Sequence, residues 1–219
     1  MTKERLASYI DHTLLKADAS FSDIERLCEE AKRYSFFSVC VNLFFVPYAK
    51  KMLHSTNVKI CSVVGFPLGC VPSISKYLET REAIASGADE IDMVMNISAF
   101  KSGFYDVVFE DIKMVRKACE GKILKVIIET AYLTDEEKRK AAEICEKAGA
   151  DFVKTSTGFA HQGARVDDVK LLRASLSDRV KIKAAGGIRG FADCLAMIEA
   201  GADRIGTSCG VAIMEGFQG

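Results

Sequence analysis

The chain has 219 residues, 49% hydrophobic and 27% charged, which suits a globular domain and excludes a disordered chain. Its 30 Lys+Arg balance 30 Asp+Glu, so neither nucleic acid nor an anionic membrane is expected as a partner. No apolar run approaches the ~20 residues needed to span a bilayer.

The opening segment MTKERLASYI has no signal-peptide core, and a cytoplasmic location is expected. A first strand is predicted near 9–15. Ile24, Leu27, Cys28 and Ala31 then fall at i, i+3, i+4 and i+7, a helical stripe. SVCVN (38–42), KICSVVGF (59–66), EIDMVMN (90–96) and LKVIIET (124–130) read as the next strands. Thr134 and Glu137 form a capping box opening a helix, along which Ala141, Ile144, Cys145 and Ala148 repeat the stripe. FVKTS (152–156), KIKAAGG (181–187) and RIGTS (204–208) complete the set of strands.

One phrase recurs, as SGADEID (86–92), AGADFVK (148–154) and AGADRIG (200–206). Each copy closes a helix, turns on Gly87, Gly149 or Gly201, and enters a strand. Strands rich in Val and Ile on both faces imply a parallel sheet covered by helices. Eight such units with no linker predict a single (β/α)8 TIM barrel over residues 1–219. A doubly wound open sheet is the alternative, and no G-x-G-x-x-G follows an early strand to favour its dinucleotide-binding form.

In a barrel, chemistry sits at the C-terminal strand ends. Lys154 lies late on the sixth predicted strand, Lys183 on the seventh, and Asp92 matches Lys154 in the aligned repeats. A neutral amine is needed to attack a carbonyl, yet a free lysine has a pKa near ~10.4. Desolvation and a neighbouring ammonium both disfavour its charged form, which prepares a Schiff-base lysine. A structural ion cluster is the competing reading. Glu90, Lys181 and Arg204 lie at strand starts and read as structural or solvated. Gly158, Gly186, Gly187 and the 206–208 turn group glycines after three consecutive strands, where backbone N–H groups can approach a phosphate. Ordinary turn glycines are the alternative there.

The eight cysteines include no C-x-x-C pair and read as reduced core thiols. His12, His54 and His161 lack metal-ligand spacing, so a dedicated metal site is not expected, and a Schiff-base lysine would need neither metal nor organic cofactor.

These segments together resemble the deoxyribose-phosphate aldolases, a class I aldolase family with a (β/α)8 fold. The matching pieces are DHTLLK (11–16), SVCVN (38–42), VVGFPLG (63–69), GADEIDMVMNI (87–97), KVIIET (125–130), ADFVKTSTGF (150–159), KAAGGIR (183–189) and GADRIGTS (201–208), in family order. The resemblance implies reversible cleavage of 2-deoxy-D-ribose 5-phosphate to D-glyceraldehyde 3-phosphate and acetaldehyde. It implies Lys154 as the Schiff-base lysine, Lys183 as its neighbour that tunes it, and Asp92 moving protons with a water. Gly158, Gly186, Gly187 and Ser208 would hold the phosphate, and Thr157, Asp11 and Thr13 would line the substrate hydroxyls. It also implies a homodimer or homotetramer. Cys40 matches a position near the pocket and reads as a core thiol. The sequence departs from the family pattern at LFFVP after Asn42, at NISAF (96–100) and at Cys209, where a second serine is common; a backbone donor is expected to survive there. Another Schiff-base aldolase of this barrel class, a phosphate-ligand binding protein and a metal-dependent aldolase remain the rival readings.

Overall fold

In the computed structural model, which describes residues 1–217, eight parallel strands close into a barrel in the order β1 to β8. The chain runs α1 (Lys3–Ala7), β1 (Ile10–Leu14), α2 (Phe21–Tyr34), β2 (Ser38–Val41), α3 (Val46–Met52) and β3 (Lys59–Val64). It continues through α4 (Ser73–Ala85), β4 (Glu90–Val94), α5 (Ile97–Lys101), α6 (Tyr105–Ala118), β5 (Ile123–Ile127) and α7 (Asp135–Lys147). Last come β6 (Phe152–Lys154), α8 (Val166–Ser175), β7 (Lys181–Ala185), α9 (Phe191–Glu199), β8 (Arg204–Thr207) and α10 (Gly210–Glu215). Pairing of Ile10 with Ile205 and of Asp11 with Gly206 closes the ring. The TIM barrel replaces the open-sheet alternative.

The capping box opens α7 as expected: Thr134 Oγ accepts the Glu137 N–H at 3.3 Å, and the Glu137 carboxylate accepts the Thr134 N–H at 2.8 Å. The recurring phrase does more than turn the chain. After each helix its glycine takes φ 112°, 88° and 109° at Gly87, Gly149 and Gly201. The following aspartate then grips the foot of the preceding strand. Asp89, Asp151 and Asp203 carboxylates accept the N–H of Ile60, Leu124 and Ile182 at 3.1, 2.8 and 2.9 Å. Their own N–H groups donate back to the carbonyls of the same three residues. At these three strand feet both backbone groups are therefore paired at the lower rim.

The main hydrophobic core lies between sheet and helices, around residues such as Ile91, Val126, Val153 and Ile205. Inside the ring the filling is mostly charged. Register sets Lys154 beside Lys183 and Asp92 beside Lys125. Gly206 lacks a side chain for a spatial reason: a Cβ there would lie 3.0 Å from the Lys183 Cε. Among the described residues, no helix is long and apolar enough to cross a membrane.

Candidate active site

Asp92, fully buried on β4, is the hub of the interior. Its Oδ2 accepts from both Lys154 and Lys183, each at 2.8 Å. Its Oδ1 accepts from Lys125 at 2.7 Å and from the Cys61 thiol at 3.1 Å. Lys183 Nζ also lies 2.5 Å from Asp11 Oδ2. Arg204 donates to Asp11 at 2.8 Å and to Glu90 at 3.1 Å, and Lys125 lies 2.7 Å from Glu90. Glu90 and Arg204 thus take the structural role foreseen for strand starts, whereas Lys181 is exposed.

The network fixes most protonation states. Burial pushes the Asp92 carboxyl up, but Lys125, Lys154 and Lys183 outweigh it and hold it well below its ordinary value. Burial pulls the Lys183 ammonium down, and Asp11 and Asp92 more than offset this, so its pKa is raised. Lys125 is raised in the same way against its own burial, by Asp92 and Glu90 among others. Three carboxylates (Asp11, Glu90, Asp92) face four cations (Lys125, Lys154, Lys183, Arg204). Removing one proton from Lys154 leaves three against three.

Above this layer a cavity of about 410 Å³ opens at the C-terminal end of the barrel. Lys154 is the member of the charged trio that lines it. Thr13, Thr157, Gly158, Gly186, Gly187 and Ser208 line it too. Gly158, Gly186 and Gly187 have φ of 87°, 87° and 79°, which presents backbone rather than side chains to the cavity. Asp11 is placed differently from the hydroxyl-lining role: it sits below the cavity, fully buried, engaged by Ser38, Arg204 and Lys183. At Cys209 the backbone N–H is turned to Thr207 Oγ at 2.9 Å, so that donor points into the turn rather than to a ligand.

Sequence reasoning passed over four residues. Lys16 and Arg189 put two exposed cations on the cavity wall, in the DHTLLK and KAAGGIR segments. Lys125 is hidden in an apolar strand. Glu129, 2% exposed, accepts the Thr157 N–H at 3.2 Å and the Thr157 hydroxyl.

Cys40, Cys61 and Asp92 place their ligand atoms within 4.8 Å of one another. Charge argues against an ion there, because three ammonium groups already hold the Asp92 oxygens. Leu15, Cys40, Cys61 and Val63, with Phe66 against them, instead form a small apolar patch inside the barrel.

A family model described as DeoC/LacD family aldolase matches residues 5–216. The deoxyribose-phosphate aldolase of Carboxydothermus hydrogenoformans is 54% identical over 221 residues, covering 99% of this chain and 97% of the relative. That of Finegoldia magna is 56% identical over 211 residues, covering 96% and 99%. The solved tetrameric deoxyribose phosphate aldolase of Aeropyrum pernix superposes with a TM-score of 0.91 at 34% identity, covering 98% of this chain and 91% of that one.

Proposed function

The chain belongs to the DeoC/LacD aldolase family, and from that premise we propose how its own residues carry out the reaction. It is a class I aldolase that reversibly cleaves 2-deoxy-D-ribose 5-phosphate to D-glyceraldehyde 3-phosphate and acetaldehyde. The amine of Lys154 attacks the aldehyde carbon of the open-chain sugar, and loss of water leaves an iminium. The bond between the second and third carbons then breaks, its electrons neutralise the iminium to an enamine, and the 3-hydroxyl gives up its proton. Protonation and hydrolysis of the enamine release acetaldehyde and restore the amine.

The observation that carries this reading is the single carboxylate oxygen shared by Lys154 and Lys183. Lys183 stays an ammonium beside the attacking amine, both held on the same Asp92 oxygen. Asp92 answers to the charge on Lys154. As the iminium is quenched to an enamine, Asp92 loses one cationic partner and gains proton affinity when the 3-hydroxyl must release its proton. Lys125 and Cys61 stay on the other oxygen and keep the carboxylate oriented.

The phosphate is assigned to the turns at Gly158, Gly186–Gly187 and Ser208, with Lys16 and Arg189 supplying charge. Thr13 and Thr157 face the sugar hydroxyls. Asp11 is assigned to holding Lys183. A reducing, cytoplasmic setting fits eight unpaired cysteines, six of them buried. A homodimer or homotetramer fits the adjacent helices α4 and α6, which expose Ile74 and Leu78 beside Val107 and Met114; light scattering of the purified chain reads this directly.

Borohydride reduction with acetaldehyde, followed by peptide mass analysis, tests the central step. The expected result is a two-carbon adduct on the peptide holding Lys154, and a loss of turnover of at least about 10⁴-fold in Lys154→Ala. An adduct on another lysine, or turnover surviving in that variant, would refute the assignment.

A further inference from the structure

Glu129 follows β5 and, among the described residues, is one of three non-glycine residues with positive φ, at φ 53° and ψ 71°. Such a conformation persists only where the surroundings hold it. Here the segment that follows β6 does. Thr130 N–H donates to the Thr155 carbonyl at 2.9 Å, and the buried Glu129 carboxylate accepts two bonds from Thr157. Burial pushes this carboxyl up, against the Thr157 bonds, Lys154 and His161, so the fold keeps a group that is costly to keep ionised.

The bonds decide what Thr157 can do. A hydroxyl has one proton and two lone pairs. The proton goes to Glu129, and one lone pair accepts the Phe159 N–H at 3.0 Å. Only a lone pair remains, so Thr157 can accept a hydrogen bond from the cavity but cannot donate one.

We infer that Glu129 is a positioning residue for substrate selection: by taking the Thr157 proton, it sets the Thr157 oxygen as an acceptor for a donating sugar hydroxyl. The inference rests on the Schiff-base reading given above and adds a residue that reads the hydroxyl-bearing part of the substrate.

The test uses two assays, cleavage of deoxyribose 5-phosphate and borohydride trapping of acetaldehyde on Lys154. Acetaldehyde has no hydroxyl, so a positioning role leaves its trapping untouched, whereas a general structural loss lowers both. Glu129→Ala is expected to raise KM for the phosphosugar by about tenfold, with trapping within about twofold of the parent. Glu129→Gln keeps a carbonyl acceptor and should recover most of that loss. Thr157→Val should match Glu129→Ala, and the double variant should be no worse than either alone. Trapping that falls in step with cleavage, an unchanged KM, or additive losses would overturn the inference. If Glu129→Ala does not fold, an unchanged KM in Thr157→Val overturns it alone. No adduct in the parent enzyme would instead sink the Schiff-base reading, and this inference with it.

Discussion

Lys183 is held between two carboxylates, Asp11 at 2.5 Å and Asp92 at 2.8 Å, and no solvent reaches it. Its raised pKa keeps it an ammonium through neutral and alkaline pH, so the field it exerts on the neighbouring Lys154 is constant across that range. Lys183→Leu removes that field. We expect its rate to fall at least about 10²-fold near neutrality and to recover toward alkaline pH, while the parent profile stays flatter; stopped assays from about pH 6 to 9 read this. A variant with the parent rate at every pH would refute the tuning role. At this scale the sequence was legible where a charge broke an apolar run at a strand's end. Lys154 and Lys183 stood out for that reason, and their contact follows from register and alternation. Lys125 did not, because one lysine amid LKVIIET reads as a strand start. Its ammonium pairs with Asp92 on the adjacent strand β4, a contact between strands that no single segment encodes. Glu129 was missed because its importance lies in a backbone conformation and a partner 28 residues away.

The unit built eight times is a helix, a turn and a strand, and its signature in the sequence is the GAD phrase. The glycine was readable as a helix closer. The aspartate was not, since its work is on the foot of the preceding strand, brought close only when the ring forms. Strand lengths were overread for a related reason. FVKTS leaves the ladder at Lys154, and the segment beyond it is held by Glu129 and Lys183 backbone and side-chain partners as it becomes cavity wall. The lower rim stabilises and the upper rim reacts, so a charge removed below should spare chemistry. Asp151 tests this, because its carboxylate holds the Leu124 N–H at 2.8 Å and Arg116 at 2.6 Å. Asp151→Ala should lower unfolding free energy by about 1–3 kcal/mol, measured in urea, with kcat and KM unchanged. A selective loss of kcat in fully folded variant would contradict that division.

At the scale of the whole molecule, opposite charges also meet inside the barrel. The interior is a lattice of opposite charges rather than an oily plug, and breaking one side of such a buried pairing costs about 3–5 kcal/mol. The pH dependence of stability follows from the direction of each shift. Asp11 and Asp92 have folded pKa values below their unfolded ones, so their contribution is complete above about pH 4 and is lost as pH falls through the folded values. Lys125 and Lys183 have folded values above their unfolded ones, so theirs is complete below about pH 10 and is lost as pH rises through the folded values. Glu129 runs the other way: its raised value favours the protonated fold, and that preference is lost as pH rises through it. Glu79 is raised by burial in the same way, and the four strongly paired groups should outweigh these two. The urea midpoint is therefore expected to hold a plateau between about pH 5 and 9 and to drop on both sides. In Glu129→Gln the plateau should be no lower than in the parent, since that substitution removes a carboxylate the fold disfavours. A midpoint that climbed steadily from pH 5 to about pH 3 would mean that burial, not pairing, governs these carboxylates, and the charge-lattice account of the barrel interior would fail with it.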